Sequence, residues 1–358
     1  MSHSTRSTAS NAPSGRAMLR DVGAGASLPA AFDVRTAFDF AVSLAHEVGE
    51  HEELPAEDRR WLERSRAALP ERVRGAIDDE MWTFGAGLAV DRPDVTDAAG
   101  FVDLLAHTTG AEFTGAVLAD SLRDPARRAE VTAALDGDGA AIATLLAAWP
   151  DHKQGWLRRL LVDADSLIGE VSDLMAAWLP LYQEIEPRVR AIIERDVRLR
   201  AGDIASLSPA ELIERTTNGI RWLSEPGVRR VVLAPSFVVR PYNFTFAGGD
   251  WRLFIYPVSD GALEPLDPLA PPPGVLRLHR ALGDDSRLRI LRLLKDRDWY
   301  LTEIAERLEL SKPTIKHHLA QLRAAGLVTL TEEGGLSYYS LRRDRLDDAS
   351  SELIRFLS

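Results

Sequence analysis

The chain contains no cysteine in 358 residues. Disulfides are excluded, and so is any metal site or nucleophile that depends on a thiolate; this absence fits an intracellular protein. Long apolar runs are also missing. No stretch approaches the ~20 residues that a membrane-spanning helix requires, and the N-terminus lacks the apolar core of a signal peptide. A cytoplasmic protein without a membrane partner is expected. Catalytic signatures are scarce as well: there is no nucleophile elbow, no HExxH and no pair of catalytic carboxylates. Gly23-Ala24-Gly25 does not join a strand to a helix, as a phosphate cradle would. The sequence therefore calls for no cofactor and does not read as an enzyme.

What is present is ordinary globular material, 45% hydrophobic and 27% charged, enough for a substantial core. Its length implies two or three domains. The net charge of −11 is unevenly spread. Residues 1–276 hold 28 basic and 41 acidic side chains, whereas the remainder holds 15 and 13. Between Ser311 and Arg345 basic residues outnumber acidic ones 6 to 3, so this segment is locally positive on an acidic protein. Such a patch can act on phosphate by itself, because distant charges are screened beyond a Debye length of ~8–10 Å.

Taken in order, residues 1–30 are rich in Ser, Ala, Gly and Thr and read as a disordered tail. Residues 31–263 read as a mainly helical domain that takes a signal or dimerises. Helical periodicity is expected from Phe32 to Val48, then in a series of shorter segments. A long amphipathic stretch follows from His152 to Arg200, broken near Pro180 and Pro187. Ser208-Pro209-Ala210-Glu211 combines a Ser cap, Pro at the first helical position and Glu two further on, which predicts a helix running to about Leu223. The period then changes. Arg230 to Ala234, Ser236 to Arg240, Asn243 to Ala247 and Trp251 to Tyr256 are β-rich, with Gly248-Gly249-Asp250 as a hairpin turn. The expectation is a small antiparallel sheet near residues 229–257. Residues 264–274, EPLDPLAPPPG, carry five prolines and form a stiff linker to a C-terminal domain at 275–358, able to transmit a signal. The fold class is thus mainly α with small antiparallel β elements.

The most informative stretch is Leu301 to Leu341. Thr302 is placed to cap a short helix bearing Ile304, Ala305 and Leu308. After a break, Ser311 caps a second helix with Pro313 in its first turn. Ile315, Leu319 and Leu322 stand at i, i+4 and i+7 and share one buried stripe, while Lys316 and His317 fall outside it. Gly326 ends the helix. Leu327 to Thr331 and Leu336 to Leu341 form a hairpin around Glu332-Glu333-Gly334-Gly335. Two helices joined by a tight turn and followed by a wing describe a winged helix-turn-helix. Together with ALGDDSRLRILRLL upstream, these blocks resemble the ArsR/SmtB-type regulators over Val275 to Leu341, the C-terminal fifth of the chain. The resemblance implies binding to double-stranded DNA as a homodimer, repression by promoter occlusion, and dimerisation through the outer helices. Where many members of that family place metal-binding cysteines, this chain reads Asp298-Trp299-Tyr300-Leu301-Thr302-Glu303. A soft-metal sensor of that kind is not expected, and the signal must enter elsewhere.

Ser311, Lys312, Thr314, Lys316 and His317 are the candidate DNA contacts, and Arg342 and Arg343, with Arg345 beside them, the candidate phosphate grips. A solvated surface is the alternative for the arginines. Leu278, Leu346, Leu353, Phe356 and Leu357 are the candidate dimer residues. His318 falls on the core side and is expected to be hydrogen-bonded there. His317-His318 cannot form a metal pair, since adjacent helical residues face apart. His46, Glu47, Glu50, His51, Glu52 and Glu53 lack further ligands at a telling distance and read as a charged helix end. Trp149, Trp156, Trp178, Trp222 and Tyr182 are either core aromatics, the commoner use, or the lining of an apolar pocket for a small-molecule effector. Ser236, Tyr242 and Asn243 are polar groups that could orient such a ligand. The competing function is an enzyme or small-molecule-binding protein whose winged helix serves only as an interaction module.

Overall fold

The structure is a computed structural model describing residues 29–45, 54–74, 80–123, 125–149, 151–263, 269, 271–333 and 336–358. Several expectations lie outside them: most of the N-terminal tail, the His46 to Glu53 cluster, the glycines of the wing turn and most of the proline-rich linker. Among the described residues, no helix is long and apolar enough to cross a membrane.

The N-terminal body packs helices around a four-stranded sheet of β1 (Ala30–Phe32), β3 (Arg230–Ser236), β5 (Trp251–Pro257) and β4 (Phe244–Ala247), in that order. The antiparallel expectation needs correction. β1 runs parallel to β3 and β3 parallel to β5; only β4 is antiparallel, joined to β5 by the foreseen Gly248 to Asp250 turn. The central strands are covered on both faces, with Val231, Leu233 and Ala234 buried on β3 and Leu253 to Tyr256 on β5. Such strands are the ones that pair in parallel across long connections. Phe32 belongs to this sheet, and the first helix begins only at Thr36.

That helix, Thr36–Val42, is buried throughout and brings Asp39 to the end of β3. The Asp39 carboxylate accepts hydrogen bonds from the backbone N–H groups of Phe237 (2.7 Å) and Val238 (3.1 Å) and from the Ser236 hydroxyl. Tyr182 Oη adds a fourth at 2.6 Å. These bonds turn the chain out of the sheet after Ser236, so Phe237 to Arg240 is a loop where a strand from Ser236 to Arg240 was expected. Trp156, Trp178 and Tyr182 are core aromatics; the Trp178 indole donates to Ser43 Oγ at 2.7 Å. Ser236 and Asn243 likewise hold structure, Asn243 Nδ2 donating to Thr217 O at 2.9 Å.

The Ser208 capping box forms as read, with Ser208 N–H donating to Glu211 and Glu211 N–H to Ser208 Oγ. Its helix stops at Thr216, short of Leu223, because Asn218 (φ 55°) and Gly219 (φ 116°) take left-handed backbone.

The C-terminal module packs helices Pro273–Leu282, Asp285–Leu294, Leu301–Leu308, Lys312–Ala324 and Arg343–Leu357 around Leu278, Ile290, Ile304, Ile315, Leu319, Leu322 and Val328. Asp284 caps the second of these, accepting from Arg287 N at 2.9 Å. Thr302 is not a cap, since its helix already begins at Leu301; Glu303 folds back instead to accept from Tyr300 N at 3.0 Å. The wing strands β7 (Val328–Glu333) and β8 (Leu336–Leu341) pair antiparallel, and β6 (Trp299–Tyr300) lies on the far side of β8. A fourth strand comes from the N-terminal body: β2 (Ile220–Arg221) pairs parallel with β7. The two bodies expected on either side of residues 264–274 therefore share a sheet.

Candidate nucleic-acid interface

The turn between the two central helices of the module is made at Glu309, whose φ of 56° reverses the chain. Ser311 follows in extended conformation and caps Lys312–Ala324, its Oγ accepting from Thr314 N at 3.2 Å and lying 2.7 Å from Thr314 Oγ1. Ile315, Leu319 and Leu322 are fully buried and fix the back of this helix. Its opposite side presents Ser311, Lys312, Thr314, Lys316 and His317, all exposed, at the end where the helix dipole is positive. No acidic residue lies in the helix itself. The arrangement offers two cations, two hydroxyls and an imidazole to a ligand rich in phosphate and acceptor groups.

His318 turns inward as read but without the expected hydrogen bond: its Nδ1 is 3.8 Å from Asp284 Oδ1. Burial lowers its pKa, against the opposing pull of Asp284.

The arginines beyond the wing are already engaged. Arg343 donates to Lys295 O at 2.6 Å, Arg345 pairs with Glu352, and Arg342, mostly covered, lies 3.7 Å from Asp344. Arg343 nonetheless stays exposed, and on the helix itself the exposed cations are Lys312 and Lys316. Leu278 requires correction as a dimer residue, because it is fully buried in the core of its own module and has no surface left for a partner. Leu346 packs against that same core, and Leu353 and Phe356 are half-buried. Ile354 and Leu357 are the exposed apolar residues of the last helix, at 63% and 73%. Sequence reading missed Ile354, since periodicity alone does not say which apolar positions the module uses itself.

Also missed was the other end of the helix Lys312–Ala324. Asn218 Nδ2 donates to Ala324 O at 2.8 Å and to Arg323 O at 3.3 Å, and Arg277 Nη1 reaches Ala324 O at 3.5 Å. The only sequence signal was the Asn218-Gly219 dipeptide, which marks a turn without naming its target.

The sequence pattern of bacterial regulatory proteins of the arsR family matches residues 284–329, the segment that builds this face. Transcriptional repressor SdpR of Bacillus subtilis is 37% identical over 79 residues, covering 22% of this chain and 88% of SdpR. The chain belongs to the arsR family. HTH-type transcriptional regulator CmtR of Mycobacterium tuberculosis is 40% identical over 79 residues, 22% of this chain and 67% of CmtR. Among solved structures, HlyU from Vibrio cholerae N16961 shares 31% identity over 23% of this chain and 86% of its own, with a TM-score of 0.20. These similarities speak for about a fifth of the chain, and the arsR-type module is what they cover.

Proposed function

We propose that this protein is a sequence-specific transcriptional repressor, not an enzyme, that binds double-stranded DNA as a cytoplasmic homodimer. The observation that carries this reading is the recognition helix, pinned by three fully buried aliphatic residues with Lys312 and Lys316 exposed on its free N-terminal half. Membership in the arsR family and likeness to a named repressor support it. A single helix of this size makes few base contacts; two related by a two-fold axis, reading major grooves ~34 Å apart, supply useful specificity. The N-terminal body, larger than the module and outside the family match, receives the controlling signal, and a small-molecule effector is its expected form.

The test is salt dependence. Log affinity for promoter DNA falls linearly with log salt, with a slope of about 0.9 for each phosphate neutralised. In a dimer, Lys312→Ala with Lys316→Ala removes up to four such contacts and lowers the slope by about 3–4. An unchanged slope would show that these lysines do not meet DNA. Turnover retained after removal of residues 275–358 would favour an enzyme.

A further inference from the structure

The segment Thr217 to Trp222 connects the N-terminal body to both halves of the DNA-reading element at once. Asn218 supplies hydrogen bonds to the last carbonyls of the recognition helix, groups that no residue of the helix itself can satisfy. One residue later, Gly219 O accepts from Leu330 N at 2.8 Å, and Ile220 and Arg221 lie in register with Leu330 and Thr331 of the wing. The wing edge is thereby extended by a strand belonging to the other body, the geometry by which proteins commonly capture separate peptides.

The strap is anchored at both ends in the N-terminal sheet. Upstream, Leu212 and Ile213 pack with Val231, Leu233, Phe254 and Tyr256. Downstream, the Trp222 indole donates to Glu225 at 3.0 Å, and Glu225 in turn pairs with Arg252 of β5. Beside the strap runs a chain of charges from Arg240 to Asp260 (2.5 Å) and from Asp260 to Arg277 (3.4 Å), the same Arg277 that reaches Ala324 O. A shift of the N-terminal sheet is thus felt at the C-terminal end of the recognition helix and along the wing. The wing face next to the strap carries Thr329 and Thr331, both buried, where a permanent joint would bury apolar side chains. Polar faces between bodies of one chain are the kind that part and rejoin.

We infer that this strap is the switch through which the N-terminal body sets DNA affinity: docked, it holds the recognition helix and wing ready for DNA, and released, it lets them loosen. The docked form leaves Ser311, Lys312, Thr314 and Lys316 exposed, so it is the DNA-competent one. Release removes the Asn218 donor at the helix end, leaving Arg277 and Gly326 N–H there, and takes away the partner strand of the wing; the module must then be ordered further on binding, which weakens it. An effector that binds better to the undocked N-terminal body would therefore free DNA. The inference rests on the DNA-binding reading above.

Gly219 is the point of attack, because a side chain there would meet Val328 O at 2.8 Å and its φ of +116° disfavours any other residue. Gly227, at φ +85° with nothing within 4 Å, is a control carrying backbone strain without the clash. Duplexes are first selected from a random-sequence pool with the full-length chain. Failure to select any sequence would refute DNA reading itself, whatever the strap does. With a selected duplex, Gly219→Val should bind about tenfold more weakly and Gly227→Val within about twofold of the unaltered chain. Equal affinity of Gly219→Val and the unaltered chain, or equal losses in both variants, would overturn the switch. If Gly219→Val does not melt cooperatively, Asn218→Ala decides instead, since it adds no atoms and should still weaken binding several-fold; full affinity would overturn the inference. A second readout is reciprocal: the duplex should slow amide exchange in residues 217–222, which lie away from the exposed lysines, and unaltered exchange there would also refute it.

Discussion

Replacing Asp39 gives a graded test of how the N-terminal body is held. Its carboxylate takes four hydrogen bonds in a fully buried site, from Phe237 N, Val238 N, Ser236 Oγ and Tyr182 Oη. Asp39→Ala leaves two backbone N–H groups without acceptors, at about 1–3 kcal/mol each, while the hydroxyls can rotate to other partners. Relief from keeping a carboxyl group out of water offsets part of this, for a net loss of about 3–4 kcal/mol. Asp39→Asn keeps an acceptor for both N–H groups and can donate to the Tyr182 oxygen, so its loss should be roughly 1 kcal/mol. Urea unfolding followed by tryptophan fluorescence reads the difference, because Trp178 and Trp61 lie in the same core with ring centroids 5.6 Å apart. Equal losses in the two variants, or a cost for Asp39→Ala below about 1 kcal/mol, would show that the carboxylate does not hold the turn. The pH dependence has a definite sign. Burial raises the Asp39 pKa above the ordinary carboxylate value, more than its four donors lower it. The folded state therefore holds a proton more tightly than the unfolded one, and the stability this confers is full below the unfolded pKa and lost as pH rises through the folded one. The advantage of the unaltered chain over Asp39→Asn should shrink as pH rises through that window.

Two further changes separate the module's own core from its surface. Leu319→Ala, at a fully buried position on the back of the recognition helix, should destabilise the module by about 2–5 kcal/mol and weaken DNA binding with it; a denaturation midpoint equal to that of the unaltered chain would refute the anchoring role. Ile354→Asp with Leu357→Asp alters exposed positions on the last helix and should change monomer stability by no more than about 0.5 kcal/mol each. If that surface joins two copies, the sedimentation coefficient should fall to the monomer value, and an unchanged coefficient would remove it as the contact.

The parts of this protein that were legible in its sequence are those whose determinants are local. Ser311, Pro313, the Ile315-Leu319-Leu322 stripe and Gly326 specify a capped, one-sided helix within sixteen residues, and the structure has that helix with Gly326 at φ +74°. The mixed sheet was not legible, because Ala30 pairs with Val231 across some two hundred residues and parallel pairing leaves no turn to announce it. The strap was hidden more thoroughly. β2 has two residues, too few for any period, and the Asn-Gly pair before it announces a reversal of direction but not the helix end that Asn218 serves. Leu278 shows the remaining ambiguity: an amphipathic outer helix displays one apolar stripe whether it faces its own core or another copy, and only the packing of Ile290, Leu319 and Leu322 around it decides. The recognition helix can thus be recognised from its own residues, whereas what steadies its far end lies about a hundred residues earlier in the chain. The two ends of the helix therefore answer to different parts of the sequence, its exposed N-terminal half to residues 311–317 and its last carbonyls to Asn218.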